Sequence, residues 1–172
     1  MYTYIGIITA QDEEMLPIRE KLEEVSINVI HDLTFYEGKI KNIQYILVKS
    51  GIGKVNAARS AQIMIDNYSL EYIINIGCAG ALNDGLDIYD WVIGKTLIQY
   101  DFDITAFGHN MGYIPNIGEE LYSSDELIKS FTKKLQRMSN DGSKVIAGKI
   151  ATGDGFCTDI SLKNEIQREF RG

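Results

Sequence analysis

The most constraining feature of this sequence is a strand, a pair of glycines, a helix and a second strand that follow one another without a break. Ile43–Ser50 is an apolar strand, Gly51 and Gly53 form a turn, Lys54–Tyr68 places Val55, Ala58, Ile63 and Ile65 at helical spacing, and Tyr72–Ile76 is a buried strand. Such a unit has few folded solutions. It is met where parallel strands are joined by right-handed helical crossovers inside a sheet covered by helices.

The rest of the chain extends the theme. Tyr4–Ala10 reads as a short core strand running into Asp12, Glu13 and Glu14, whose charges suit the first turn of a helix expected to continue to about Glu24. Leu33–Glu37 and Ile43–Ser50 pair as a hairpin across Gly38-Lys39-Ile40-Lys41-Asn42. Asp90–Gln99 is a further strand, Tyr100–Leu121 a long loop, and Asp125–Met138 a helix capped by Ser123 with Glu126 three residues later. Val145–Thr152 is the next strand and Leu162–Phe170 the last helix. The expected fold is α/β: one domain over residues 1–172, with a central mixed, largely parallel sheet flanked by helices.

Charge and composition narrow the partners. With 17 Lys and Arg against 24 Asp and Glu, the net charge is −7, and no basic cluster is present to neutralise phosphates, so nucleic acid is not an expected partner. The amino terminus has no basic flank and its apolar run ends at the acidic residues, well short of the roughly 20 apolar residues of a membrane span. A soluble, cytoplasmic protein with no membrane association is expected. Cys78 and Cys157 are too few to staple the chain and lack partners at metal-ligand spacing, so they are read as buried small hydrophobes, with no metal.

Open α/β sheets bind ligands beyond the carboxyl ends of their strands. Four segments occupy such ends: Asp12–Glu14, Ser50–Lys54, Gly77–Ala81 and Thr152–Cys157. Ser50-Gly51-Ile52-Gly53-Lys54 lacks the spacing of a phosphate-binding GxxxxGK[ST] loop, and no complete G-x-G-x-x-G follows a strand. The glycines suit either tight turns or close approach to a flat ligand. Of the three consecutive carboxylates, one is expected to face the cleft and two the solvent, since successive residues at a helix start point apart. A carboxylate there can hold and deprotonate a water, whereas a phosphate site would need donors and positive charge, so the cluster leans toward hydrolysis over phosphorolysis. His31 and His109 read as polar loop or strand-edge residues. The aromatic loop Tyr100–Leu121 is long enough to be a binding or interface segment.

Five segments, taken together and in order, resemble the 5′-methylthioadenosine/S-adenosylhomocysteine nucleosidases of the nucleoside phosphorylase-like superfamily. They are Ile5–Ala10 with Asp12–Glu14, Ser50–Ala58, Asn75–Gly80, Asp103–Gly108 and Thr152–Phe156. The resemblance implies hydrolysis of the N-glycosidic bond through an oxocarbenium-like transition state, releasing adenine and a thioribose in methionine salvage, with no cofactor. It places the water-activating carboxylate on Glu14. It assigns the small-residue turn to Cys78, Ala79 and Gly80, where the family has serine in place of Cys78, and an apolar wall to Ile52. Adenine would lie on Phe156 and meet backbone groups at Cys157, and the alkylthio end would project toward Phe107 and Pro115, in a pocket completed by the second subunit of a homodimer. The family continues past the match to Leu162–Gly172 with a strand bearing a valine-glutamate-methionine-glutamate motif, a serine-aspartate pair whose aspartate protonates adenine, and a final helix. None of these is in the 172 residues, so the resemblance implies weak or no activity for this polypeptide. The alternatives are a purine nucleoside phosphorylase, or a non-catalytic nucleoside-binding or structural remnant.

Overall fold

Ile46, Leu47 and Val48 are consecutive and all fully buried, which a strand achieves only when both faces of its sheet are covered. The computed structural model, which describes residues 3–139 and 142–170, shows how. Two compact units divide the chain, Met1–Ala79 and Gly80–Gly172.

The first unit runs β1 (Tyr4–Thr9), α1 (Asp12–Arg19), β2 (Glu23–Ile30), β3 (Leu33–Ile40), β4 (Ile43–Lys49), α2 (Lys54–Asn67) and β5 (Leu70–Asn75). Its sheet has the order β2-β3-β4-β1-β5, antiparallel from β2 to β4 and parallel across β4, β1 and β5. The mixed sheet flanked by helices is therefore as expected for an α/β protein.

Side chains alternate between two cores. Met64 of α2 packs with Ile8, Phe35, Ile46 and Val48 on one face, and Met15 of α1 packs with Ile5, Ile7 and Leu47 on the other. Phe35 has no exposed surface and meets the Tyr68 ring at 5.6 Å between centroids. A Phe35→Ala substitution is expected to lower stability by about 3–5 kcal/mol, because the site is walled by strands that cannot collapse onto the void. The shift of the urea midpoint measures it, and a loss below about 1 kcal/mol would contradict this packing.

Three boundaries differ from the sequence reading. Helix α1 stops at Arg19, two residues after Pro17, which removes one backbone donor from its interior. The residues beyond form β2, an edge strand whose alternation of Val25, Ile27 and Val29 with polar residues has the strand period of two. Strand β3 runs through Gly38 to Ile40, leaving a turn of only Lys41 and Asn42. Gly38 is a strand residue because a Cβ there would stand 3.0 Å from the Glu23 carbonyl oxygen and 3.2 Å from Leu22.

The second unit holds β6 (Trp91–Gln99), a 3-10 turn at Thr105–Phe107, β7 (Leu121–Tyr122), α3 (Asp125–Met138), β8 (Val145–Thr152) and α4 (Ile160–Glu169). Strands β6 and β8 pair in parallel along their whole length, with β7 antiparallel on the outer side of β6, and α3 packs on β6 and β8. The cap of α3 is Ser124, which accepts from the Leu127 amide at 3.4 Å, and not Ser123. At the entrance to β6, the Lys144 ammonium donates to the Gly85 carbonyl at 2.7 Å and to Asp87 at 3.0 Å, while the Lys144 amide donates to Asp90. Among the described residues no helix is long and apolar enough to cross a membrane.

Acid sensitivity follows from these loop carboxylates. The Arg59 guanidinium lowers Asp32, and Lys149 lowers Glu120, while backbone amides of Asp87, Thr105 and Ser161 lower Asp90, Asp103 and Asp159 respectively. A carboxylate with a depressed folded-state pKa contributes stability that is present above its unfolded value and lost as pH falls through the folded one. The melting temperature is expected to hold above about pH 5 and to fall progressively below about pH 4. A melting temperature unchanged down to about pH 2 would contradict these interactions.

Candidate active site

The geometry of the first unit begins with where its helices leave the sheet. Strands β1 and β4 are parallel neighbours, yet α1 after β1 covers one face and α2 after β4 covers the other. The two chains diverge at the carboxyl ends of these strands, which opens a crevice where ligands bind in folds of this kind. A cleft of about 350 Å³ lies there, lined by Ala10, Gln11, Asp12, Glu13, Lys49, Gly51 and Ile52. A hollow of about 360 Å³ between α2 and β5 contains none of the sequence candidates.

Of the three carboxylates at the start of α1, only Glu14 is partly withdrawn from solvent, being half-buried where Asp12 and Glu13 are exposed. One oxygen, Oε2, accepts from the Ala10 amide at 2.8 Å and the Gln11 amide at 3.1 Å; the other, Oε1, accepts from the Cys78 amide at 2.9 Å. Glu14 thus occupies the third position of the helix and caps the residue before it. It also ties the loop after β1 to the loop after β5. An ionised carboxylate offers about four lone-pair positions, so three amide donors leave capacity on Oε1 for one more proton donor, such as a water. Asp12 is instead paired with Lys49 at 2.7 Å on the surface, and Glu13 is exposed.

Gly77 explains how Glu14 reaches Cys78. A Cβ at Gly77 would stand 2.7 Å from Glu14 Oε1 and 3.1 Å from its carboxyl carbon, so no side chain fits there. The Gly51 and Gly53 pair has a different reason: their φ angles of 85° and 103° lie where residues with a Cβ are strained, and nothing approaches within 4 Å of a Cβ at Gly53. Ser50 closes the turn, its amide donating to the Thr9 carbonyl at 2.8 Å and its hydroxyl standing within reach of both the Gly51 carbonyl at 2.8 Å and the Thr9 carbonyl at 3.1 Å. Ile52 is 71% exposed, with its carbonyl held by the Asn56 amide group.

Cys78 and Cys157 are both exposed, contrary to the expectation of burial. Both lie in loops beyond strand ends, after β5 and β8. Ala79 is exposed and ends the first unit; Gly80 opens the second.

In the second unit, the loop after β8 carries Phe156, which is 92% exposed, and Cys157. Asp159 ends this loop by capping α4, accepting from the Ser161 amide at 2.8 Å. Phe107 is 82% exposed on the 3-10 turn, which Asp103 caps through the Thr105 amide at 2.9 Å and hydroxyl at 2.7 Å. Pro115 is exposed within the same long loop. His109 stacks on Tyr113 at 4.3 Å, and His31 sits in the turn between β2 and β3. Among the described residues, no cluster of His, Cys, Asp and Glu could hold a metal ion.

The family model of the phosphorylase superfamily matches residues 4–171, both the α/β sheet and the loops beyond it, and the chain belongs to that superfamily. Within that superfamily the chain belongs to the 5′-methylthioadenosine/S-adenosylhomocysteine nucleosidases, hydrolases that release adenine by cleaving an N-glycosidic bond. The nucleosidase of Staphylococcus haemolyticus is 38% identical over 167 residues, 96% of this chain and 72% of that protein. The structure of the Neisseria meningitidis nucleosidase in complex with methylthio-immucillin-A superimposes with a TM-score of 0.91 at 32% identity, over 98% of this chain and 72% of the other. That of Colwellia psychrerythraea in complex with adenine gives 0.93 at 30% identity, over 99% and 70%.

Proposed function

We propose that this chain carries the water-activating machinery of an adenine-nucleoside hydrolase acting on 5′-methylthioadenosine and S-adenosylhomocysteine. The observation that carries the reading is Glu14, oriented by three backbone amides with acceptor capacity left on Oε1. A water held there loses a proton to the carboxylate as its oxygen attacks the anomeric carbon, and the bond to adenine breaks. Exposed apolar side chains suit the parts of such a substrate: Phe156 as the face for adenine, with backbone groups at Cys157, and Phe107 and Pro115 for the alkylthio end. Cys78, Ala79 and Gly80 supply a turn without bulk, and Ile52 an apolar wall. In this reading residues 1–172 are one phosphorylase-like domain, supported by a family model that spans both units, and the protein is a cytoplasmic homodimer whose second subunit covers the alkylthio end.

Adenine is a poor leaving group until its ring is protonated, so this reading needs an acid as well as the base Glu14. Among the described residues lining the neighbouring cleft, Asp12 and Glu13 are acidic and Lys49 is paired with Asp12, which counts against a phosphate there.

The test is to incubate the protein with 5′-methylthioadenosine in ¹⁸O-water, with and without phosphate, and to identify the sugar by mass spectrometry. Free methylthioribose carrying ¹⁸O, formed at a rate indifferent to phosphate, is expected. A phosphorylated sugar formed only with phosphate would replace this reading with that of a phosphorylase, and nucleoside binding without any turnover would leave a non-catalytic binding protein.

A further inference from the structure

The Phe156 ring projects from a loop with two glycines before it, a poor foundation for a surface meant to orient a purine, unless something holds that loop. The chain just after β6 does so in three ways. The Tyr100 amide donates to the Thr152 carbonyl at 3.1 Å, the Tyr100 hydroxyl donates to the Gly155 carbonyl at 3.1 Å, and Asp101 Oδ2 accepts from the Asp154 amide at 2.7 Å. The Tyr100 ring also lies over Gly153, where a Cβ would stand 2.6 Å from the Tyr100 hydroxyl oxygen. On the far side of Phe156 and Cys157, Asp159 anchors the chain to the start of α4. Phe156 is thus fixed from both flanks while its own ring touches solvent.

We propose that Tyr100 and Asp101 are positioning residues that set the height and tilt of the Phe156 ring by gripping the Thr152–Gly155 turn. This rests on the reading of Phe156 as the adenine face. The tyrosine is needed for its hydroxyl and for its flat ring, which fills the space that glycine leaves; the aspartate is needed as an acceptor for an amide that no strand partner satisfies. The grip explains why Gly153 must be glycine independently of any ligand: a side chain would lift the turn off Tyr100.

The experiment uses the 172-residue protein, Tyr100→Phe, Asp101→Ala and a Phe156→Ala control. Two readouts are taken by NMR: exchange of the Asp154 amide without ligand, and the ring-current shifts of the adenine H2 and H8 protons at saturation. Tyr100→Phe is the diagnostic variant because it leaves the Asp154 hydrogen bond itself intact. Its melting temperature should match the parent's, while Asp154 exchanges faster by up to about tenfold, the equivalent of one lost hydrogen bond. The adenine shifts should move toward their free values in Tyr100→Phe and Asp101→Ala, and further in Phe156→Ala. Unchanged exchange in Tyr100→Phe would show that there is no grip, whatever adenine does. Faster exchange with unaltered adenine shifts, while Phe156→Ala abolishes them, would overturn the positioning role alone. Unaltered shifts in Phe156→Ala, or no adenine binding to the parent, would overturn the adenine reading of Phe156 and the positioning role with it.

Discussion

Glu14→Gln is expected to slow the release of adenine from 5′-methylthioadenosine by about 10²–10⁴-fold. The amide is nearly the same size as the carboxylate, but it cannot take a proton, and it has one oxygen for two groups of donors. If that oxygen serves the Ala10 and Gln11 amides, the side-chain nitrogen faces the Cys78 amide, donor against donor. Gly77→Ala reaches the same carboxylate from the opposite side, since the new methyl would stand 2.7 Å from Oε1. Glu14 is pinned by three amides and cannot step aside without breaking them, so this smallest of substitutions should be nearly as harmful as removing the charge. Single-turnover rates together with near-ultraviolet circular dichroism separate the loss of chemistry from the loss of fold. A Gly77→Ala enzyme as fast as its parent would show that Glu14 is not where catalysis depends on it.

Much of the fold was legible from residue types, and the reasons differ from place to place. Helix α3 and strand β8 fall on the expected residues, Asp125–Met138 and Val145–Thr152; α3 has a clear apolar face that packs on β6 and β8. Strand β2 escaped because its acidic start, Glu23 and Glu24, reads as a continuation of α1; the period-two alternation that follows is weak evidence on an exposed edge. That one carboxylate of three would be partly withdrawn from solvent was visible in the geometry of a helix start; that it would be Glu14 came from the resemblance, and the structure supplies the reason in the third-position cap. The fate of the cysteines was not visible, since residue type alone does not tell whether a loop beyond a strand end is exposed. Nor was the importance of Asp101, whose partner Asp154 lies 53 residues away in sequence and is joined to it only by the parallel pairing of β6 and β8.

Strand β1 sits between β4 and β5, and both partners lie later in the chain, while β2, β3 and β4 can pair with one another as consecutive hairpins. During synthesis Ile5–Ile8 therefore leaves the ribosome as an apolar ribbon with no ladder to join until Ile43–Lys49 has emerged, and it is flanked on both edges only after Leu70–Asn75 follows. For that interval the nascent protein displays an apolar segment without its strand neighbours, the kind of sequence that chaperones hold and that aggregates when they do not.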